Sequence, residues 1–188
     1  PRNRRDTEKT GFLFLGGSAP LWGQTVIMVT DIKRIVLGPL ETNCYVIAGD
    51  GDCWVVDPGI WPDPLIEHLK GEKLTPSRVL LTHGHGDHID GVTALRKDFP
   101  NIRVLCPGAD EPMLHDPWKN LSAMVAMPIV IGGADELIHA GMKFACGGDK
   151  WSVLNTAGHS PGGVSFYCPP ARAVLTGDAL FAGSIGRV

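Results

Sequence analysis

A chain of 188 residues has room for one domain of ordinary size, and with 44% hydrophobic and 20% charged residues it can bury a core. Its formal net charge is −3, and no stripe of Lys and Arg alternates with aromatics, which argues against a polyanion-binding protein and so against nucleic acid as a partner. No apolar run approaches the roughly 20 residues that a membrane span requires, so no membrane association is expected.

Residues 1–10 are basic and polar, and the apolar run that follows, Phe12-Leu13-Phe14-Leu15, is too short for a signal peptide. Met28 stands just before the first strand-like run. Residues 1–27 are therefore expected to be an extension, disordered or foreign to the fold, and residues 28–188 the domain. Strands are predicted over residues 32–37, 43–48 and 53–57, the last two joined by a hairpin turn at Gly49-Asp50-Gly51-Asp52. A helix is predicted over 63–70, with Asp63 as N-cap, Pro64 at its first position and Gly71 as its stop. A strand over 78–82 leads into a histidine-rich loop. A second helix is predicted over 90–98, where Val92, Leu95 and Phe99 recur at helical spacing before Pro100. After a strand over 102–106, Pro112, Pro117 and Pro128 break residues 110–135 into short helices and loops that carry Met124 and Met127. Strands over 142–145, 151–156, 163–168 and 172–176 complete the pattern. Strands first, helices between strands, then more strands indicate one α/β layered domain.

The five cysteines, Cys44, Cys53, Cys106, Cys146 and Cys168, are odd in number and scattered, and none forms a C-x-x-C pair. That suits reduced core thiols of a cytoplasmic protein better than a disulfide framework or a thiolate metal site.

The run Thr82-His83-Gly84-His85-Gly86-Asp87-His88 carries the chemistry. Imidazole nitrogen and carboxylate oxygen are ligands for zinc, iron and manganese. In extended backbone His83 and His85 point the same way, and beyond a bend at Gly86 the side chains of Asp87 and His88 can turn to a second point nearby. The spacing suits two adjacent metals. Without a cation, crowding these ionisable groups together would cost several kcal/mol in repulsion and desolvation. His159 follows another strand in Gly158-His159-Ser160-Pro161-Gly162, and Asp178 follows a third in Thr176-Gly177-Asp178. Taken alone, each reads as a ligand or as an ordinary polar loop residue.

Together with Gly38-Pro39-Leu40-Glu41-Thr42-Asn43-Cys44-Tyr45, Val55-Val56-Asp57-Pro58-Gly59 and Ser184-Ile185-Gly186-Arg187, these segments resemble the metallo-beta-lactamase superfamily, whose first motif is H-x-H-x-D-H. Within it the chain looks like the glyoxalase II type, the hydroxyacylglutathione hydrolases and their shorter relatives. The resemblance implies an αββα sandwich holding two divalent metal ions, zinc first, with iron or manganese possible. It implies His83, His85 and His159 on one ion, Asp87 and His88 on the other, Asp178 bridging both, and Asp57 orienting ligands. By the same resemblance, a hydroxide between the ions would attack the carbonyl of a small acyl thioester such as S-lactoylglutathione, with Asp87 and Asp178 as catalytic residues. In the family a further histidine, from a P-G-H-G-type loop, follows the Ser184–Arg187 region and completes the second site. Here the last residue is Val188, so the second site is expected to lack one ligand, and the sandwich its closing strand and helix.

Other readings stay open at this point. Persulfide dioxygenases share the motif but use one iron on two histidines and an aspartate. The chain also reads as a metal-binding but inactive fragment, or, on fold analogy alone, as a lactonase or β-lactamase. Arg187 reads equally as a contact for an anionic substrate group or as structural, and His68, His115 and His139 are assigned no role. Oligomeric state is not legible.

Overall fold

The computed structural model describes residues 30–188, so the extension expected over 1–27 lies outside the described residues. The chain begins as an antiparallel meander of β1 (Asp31–Leu37), β2 (Thr42–Gly49) and β3 (Asp52–Val56). Asp50 and Gly51 both have positive φ, 52° and 79°, as the Asp-Gly pair of a tight hairpin requires, so the expected turn forms between β2 and β3. From β3 onward the pairing becomes parallel. β4 (Arg78–Leu80), β5 (Arg103–Pro107) and β6 (Glu136–Ile138) extend the sheet in the order β1-β2-β3-β4-β5-β6. The crossovers are α1 (Asp63–Gly71), then α2 (Gly86–Ile89) and α3 (Val92–Asp98). A second, antiparallel sheet follows, ordered β10-β9-β8-β7, from β7 (Lys143–Cys146), β8 (Asp149–Asn155), β9 (Val164–Cys168) and β10 (Ala173–Leu175). The hairpin of β11 (Leu180–Phe181) and β12 (Ser184–Ile185) ends the chain.

Side chains alternate across the six-stranded sheet, which builds two cores from the same strands. Val55, Val79, Leu81 and Val104 face Leu65 and Leu69 of α1 and Val92 and Leu95 of α3. Ile47, Trp54, Val56, Leu80 and Leu105 face Trp151, Val153, Phe166 and Leu175 of the second sheet. Because both faces are covered, β3, β4 and β5 read in the sequence as unbroken apolar runs. Each fully buried Leu or Val stabilises this arrangement by about 1.5–3 kcal/mol before entropy is counted. The layers are thus helices, sheet, sheet. Among the described residues no helix covers the outer face of the second sheet, where Lys150 and Leu154 are exposed.

Three local expectations need correction. Asp63 is not the cap of α1: Pro62 holds that position, with no side-chain cap bond, and Asp63 sits in the first turn, where its charge favours the positive end of the helix. The helix expected over 90–98 forms as α3 from Val92, two residues later than expected, and a separate short helix, α2, precedes it; the Gly91 N–H bonds the Pro58 carbonyl at 2.8 Å instead of continuing α2 into α3. The strand β6 was not expected, its three residues being too short to show a period. Residues 110–135 do contain short 3₁₀ turns, Gly108–Met113 and Ser122–Val125.

All five cysteines are buried and free. Burial pushes the Cys53 thiol up to about 12 and raises the other four as well, so none offers a thiolate at neutral pH. No helix of the described residues is long and apolar enough to cross a membrane.

Candidate metal centre

Each residue singled out by the motifs leaves the end of a strand at the same rim of the sandwich. Asp57 follows β3, Thr82 to His85 follow β4, and Asp87 and His88 ride on α2. His159 lies in the loop between β8 and β9, and Asp178 in the 3₁₀ turn Gly177–Ala179 after β10. The Val164 N–H donates to the Thr82 carbonyl at 2.9 Å, which joins the two sheets at this rim. Seated on rigid strand ends, the side chains lose little further entropy when they converge.

Hydrogen bonds fix which nitrogen of His83 and of His159 faces the site. The Thr82 hydroxyl lies 2.6 Å from Asp57 Oδ2 and gives its single proton to that carboxylate. Its 3.0 Å contact with His83 Nδ1 must therefore be the imidazole N–H donating to the hydroxyl oxygen. His83 Nε2 is left with a bare lone pair, fully buried and without a hydrogen-bond partner. His159 Nδ1 donates to the Arg187 carbonyl at 3.0 Å, which leaves its Nε2 facing His85 Nδ1 at 2.9 Å. One ligand atom from each of His83, His85 and His159 lies within 4.8 Å of the others. Burial, then the neighbouring imidazoles, hold His83 well below the usual histidine range. Burial and His159 also lower His85, against an opposing pull from Asp87. A buried orphan acceptor costs about 1–3 kcal/mol, and three imidazoles converging on one point are a donor set that a divalent ion accepts. The residues fit such an ion.

A second group lies beside it. His88 Nδ1 donates to Asp57 Oδ2 at 3.0 Å, and its Nε2 lies 3.3 Å from Asp178 Oδ1 and 3.6 Å from Asp87 Oδ2. Burial alone would depress this imidazole, but the carboxylates of Asp57, Asp87 and Asp178 outweigh it and hold it well above the usual range. Burial would raise Asp178, but His88 draws it below the usual carboxylate range. Its other oxygen is 3.6 Å from His159 Nε2, so Asp178 is the carboxylate that faces both groups. The Thr42 hydroxyl holds Asp87 Oδ2 at 3.0 Å. Asp57 also lies near His83 and His88, but its oxygens already accept the Thr82 N–H, the Thr82 hydroxyl and His88 Nδ1. Its place is behind the imidazoles, orienting them.

The remaining histidines lie elsewhere: His68 on α1, His115 against Glu111, and His139 against the Ala140 carbonyl. Arg187 contributes its backbone carbonyl to His159, a role its side-chain chemistry could not announce. Sequence reasoning passed over three residues that hold the site, Thr42, the Thr82 hydroxyl and Asp110. Threonine and aspartate are too common to stand out, and the carboxylates that Thr42 and Thr82 hold, Asp87 and Asp57, are distant from them in sequence.

A cleft of about 770 Å³ opens beside the two groups, lined by Leu40, Ile60, Leu121, Met124, Val125 and Ile129 as well as His85, Asp87, His159, Asp178 and Arg187. One wall is a knuckle over Leu121–Ala126, both of whose ends have left-handed backbone, φ 66° and 56°. Buried Asn120 holds it in place. Its Nδ2 donates to the carbonyls of Met113 and Ile129 at 2.9 Å, and its own carbonyl accepts the Gly86 N–H at the start of α2 at 2.8 Å. Met124 is 72% exposed and Val125 59%, so the apolar wall faces the opening and not the core.

The model of the "Metallo-beta-lactamase superfamily" matches residues 37–188. A Bacillus subtilis protein named "Probable metallo-hydrolase YqgX" is 35% identical over 156 residues, 82% of this chain and 74% of the relative. A Klebsiella pneumoniae hydroxyacylglutathione hydrolase is 29% identical over 74% of this chain, which spans 47% of that enzyme. Among solved structures, the BLEG-1 B3 metallo-beta-lactamase is 41% identical with a TM-score of 0.78, covering 84% of this chain and 76% of its own. TTHA1623 in a di-iron-bound form is 32% identical with a TM-score of 0.70, covering 82% and 76%.

Proposed function

The chain belongs to the metallo-beta-lactamase superfamily as a metallo-hydrolase, and from that premise we propose that it cleaves a small acyl thioester at the rim where His83, His85, Asp87, His88, His159 and Asp178 meet. The observation that carries the reading is the buried lone pair of His83 Nε2, aimed at the point on which His85 and His159 also converge. These three would hold one divalent ion, and Asp87, His88 and Asp178 would take part in holding a second. A metal held there lowers the pKa of bound water from about 15.7 towards 7 and so supplies a nucleophile at neutral pH.

The chain's own residues do the rest. Thr82 and the Arg187 carbonyl keep the histidine lone pairs turned inward. The carboxylates of Asp87 and Asp178, held by Thr42 and His88, accept hydrogen bonds from the attacking water and orient it towards the carbonyl. The apolar wall of Leu40, Leu121, Met124 and Val125 takes the non-reacting part of the substrate and excludes bulk water. The carbon–sulfur bond then breaks, and the thiolate departs without needing a general acid, because a thiol is far more acidic than an alcohol or amine.

Zinc- or iron-loaded protein should hydrolyse S-lactoylglutathione or a short-chain acyl thioester, read as thiol release. The 41% identity to a B3 metallo-beta-lactamase supports a second reading, β-lactam hydrolysis. A chromogenic cephalosporin assayed in parallel separates the two: turnover of the lactam with no thiol release from any thioester overturns the thioesterase reading. Oxygen uptake with a persulfide, with neither hydrolysis, would replace both.

A further inference from the structure

Asp110 lies in the 3₁₀ turn after β5, has no exposed surface, and belongs to none of the family-like segments. Its carboxylate reaches two loops that are far apart in sequence. Oδ2 accepts the Gly84 N–H at 3.1 Å and the Ser160 hydroxyl at 2.6 Å, and Oδ1 accepts the Gly162 N–H at 2.6 Å. Gly84 stands between His83 and His85, and Ser160 is the residue after His159. Both glycines are needed for the approach. A Cβ on Gly162 would come within 2.9 Å of Asp110 Oδ1, and one on Gly84 within 2.8 Å of the Met113 Cβ.

We propose that Asp110 is a positioning residue that clamps the His83–His85 loop to the His159 loop and so sets the geometry in which the three imidazoles can share one metal ion. The inference rests on the reading of that histidine group as a metal site. The chemistry explains why the residue is a carboxylate. Three donors point at it, two on one oxygen and one on the other, and only an ionised carboxylate presents acceptors alone. An asparagine has one acceptor oxygen and would turn an NH₂ group towards a donor. The 2.9 Å approach of His85 Nδ1 to His159 Nε2 joins residues 74 apart, and the Asp110 carboxylate bonds the loops of both.

The test uses Co(II) as the probe, on the full chain, with Asp110→Asn and Ser160→Ala. Three quantities are read: Co(II) affinity by chelator competition, the visible absorption of the bound ion, and the melting temperature of the metal-free protein. Asp110→Asn should weaken Co(II) binding by roughly tenfold or more, as removal of groups behind metal ligands commonly does, and should shift the visible bands. Ser160→Ala, which removes one donor and no charge, should give a smaller change in the same direction. A lower melting temperature with unchanged affinity and spectrum means a purely structural residue and overturns the proposal; so does wild-type behaviour in all three. If Asp110→Asn does not fold, Ser160→Ala decides by its affinity and spectrum. No Co(II) binding by the wild-type protein would overturn the metal reading itself, a result distinct from either.

Discussion

Replacing Asp57 by Asn tests the hydrogen-bond logic behind the imidazoles. The side chain is 1% exposed, and φ of +50° suits Asn as well as Asp, so the exchange keeps shape and backbone and removes only charge and acceptor capacity. With the amide oxygen in the place of Oδ2, the Thr82 hydroxyl and His88 Nδ1 keep their acceptor, but the NH₂ meets the Thr82 N–H at the 2.8 Å position. Flipped, it satisfies that N–H and strands the other two. Either way at least one buried donor is orphaned, at about 1–3 kcal/mol, and the surviving bonds lose charge assistance, giving a total of about 2–4 kcal/mol. For a chain of this size that is a fall in melting temperature of roughly 5–15 °C. Urea unfolding with a chelator present measures it. The loss should be larger at pH 6 than at pH 9. His88 is raised in the folded state, so the stability it contributes is full below its unfolded pKa of about 6.5 and disappears as pH rises through its folded value. Histidine NMR of the metal-free protein gives an independent check, with the His88 pKa falling in the variant. A destabilisation under 1 kcal/mol, or a wild-type His88 that titrates below about 6.5, would refute the reasoning.

Metal-free protein should be most stable near pH 6.5, the ordinary histidine value. Below it the unfolded chain binds protons that folded His83 and His85 resist, so stability falls with acid; above it folded His88 keeps a proton the unfolded chain gives up, so stability falls with base. Chelated denaturation curves from pH 5 to 9 should trace this maximum, and a monotonic rise would contradict it. Gly177→Ala should cost more than about 2 kcal/mol by thermal melting, since φ is +50° and the new Cβ would strike the Thr82 hydroxyl and Cβ. Met124→Ala together with Val125→Ala should raise KM for apolar acyl thioesters by about tenfold or more, from lost apolar burial, while the melting temperature moves little because both side chains are exposed. An unchanged KM would exclude the knuckle from substrate binding.

The strands were legible because two-sided burial leaves continuous apolar runs such as Cys53-Trp54-Val55-Val56, bounded by Asp52 and Asp57, and Val79-Leu80-Leu81, bounded by Arg78 and Thr82. The metal-type residues were legible because H-x-H-x-D-H compresses most of the site into one short stretch. What stayed hidden depends on contacts between distant residues. Asp110 reaches Gly84 across 26 positions and Gly162 across 52, and its own neighbours Gly108 and Ala109 give no sign of it. The split between α2 and α3 was invisible for a similar reason, because the Gly91 N–H leaves the helix for Pro58, which only the folded chain brings near. Asp63 was misread as a cap because its type suits that position, whereas the turn through Trp61, at φ 58°, starts the helix one residue earlier.

The one-way run of hydrogen bonds from His83 through Thr82 to Asp57 has a consequence for exchange with the medium. Near neutral pH, burial and the neighbouring imidazoles hold His83 and His85 neutral, so a cation binding them displaces no ionic proton from either. His88 holds one, shared with the carboxylates around it, and must release it to bind. The two halves of the rim therefore answer to acidity differently: His83 and His85 have no proton to give up, while the His88 half trades one for its cation and becomes easier to load as the solution turns alkaline. On the proposal that the rim holds two ions, mild acidification should empty the His88 half first.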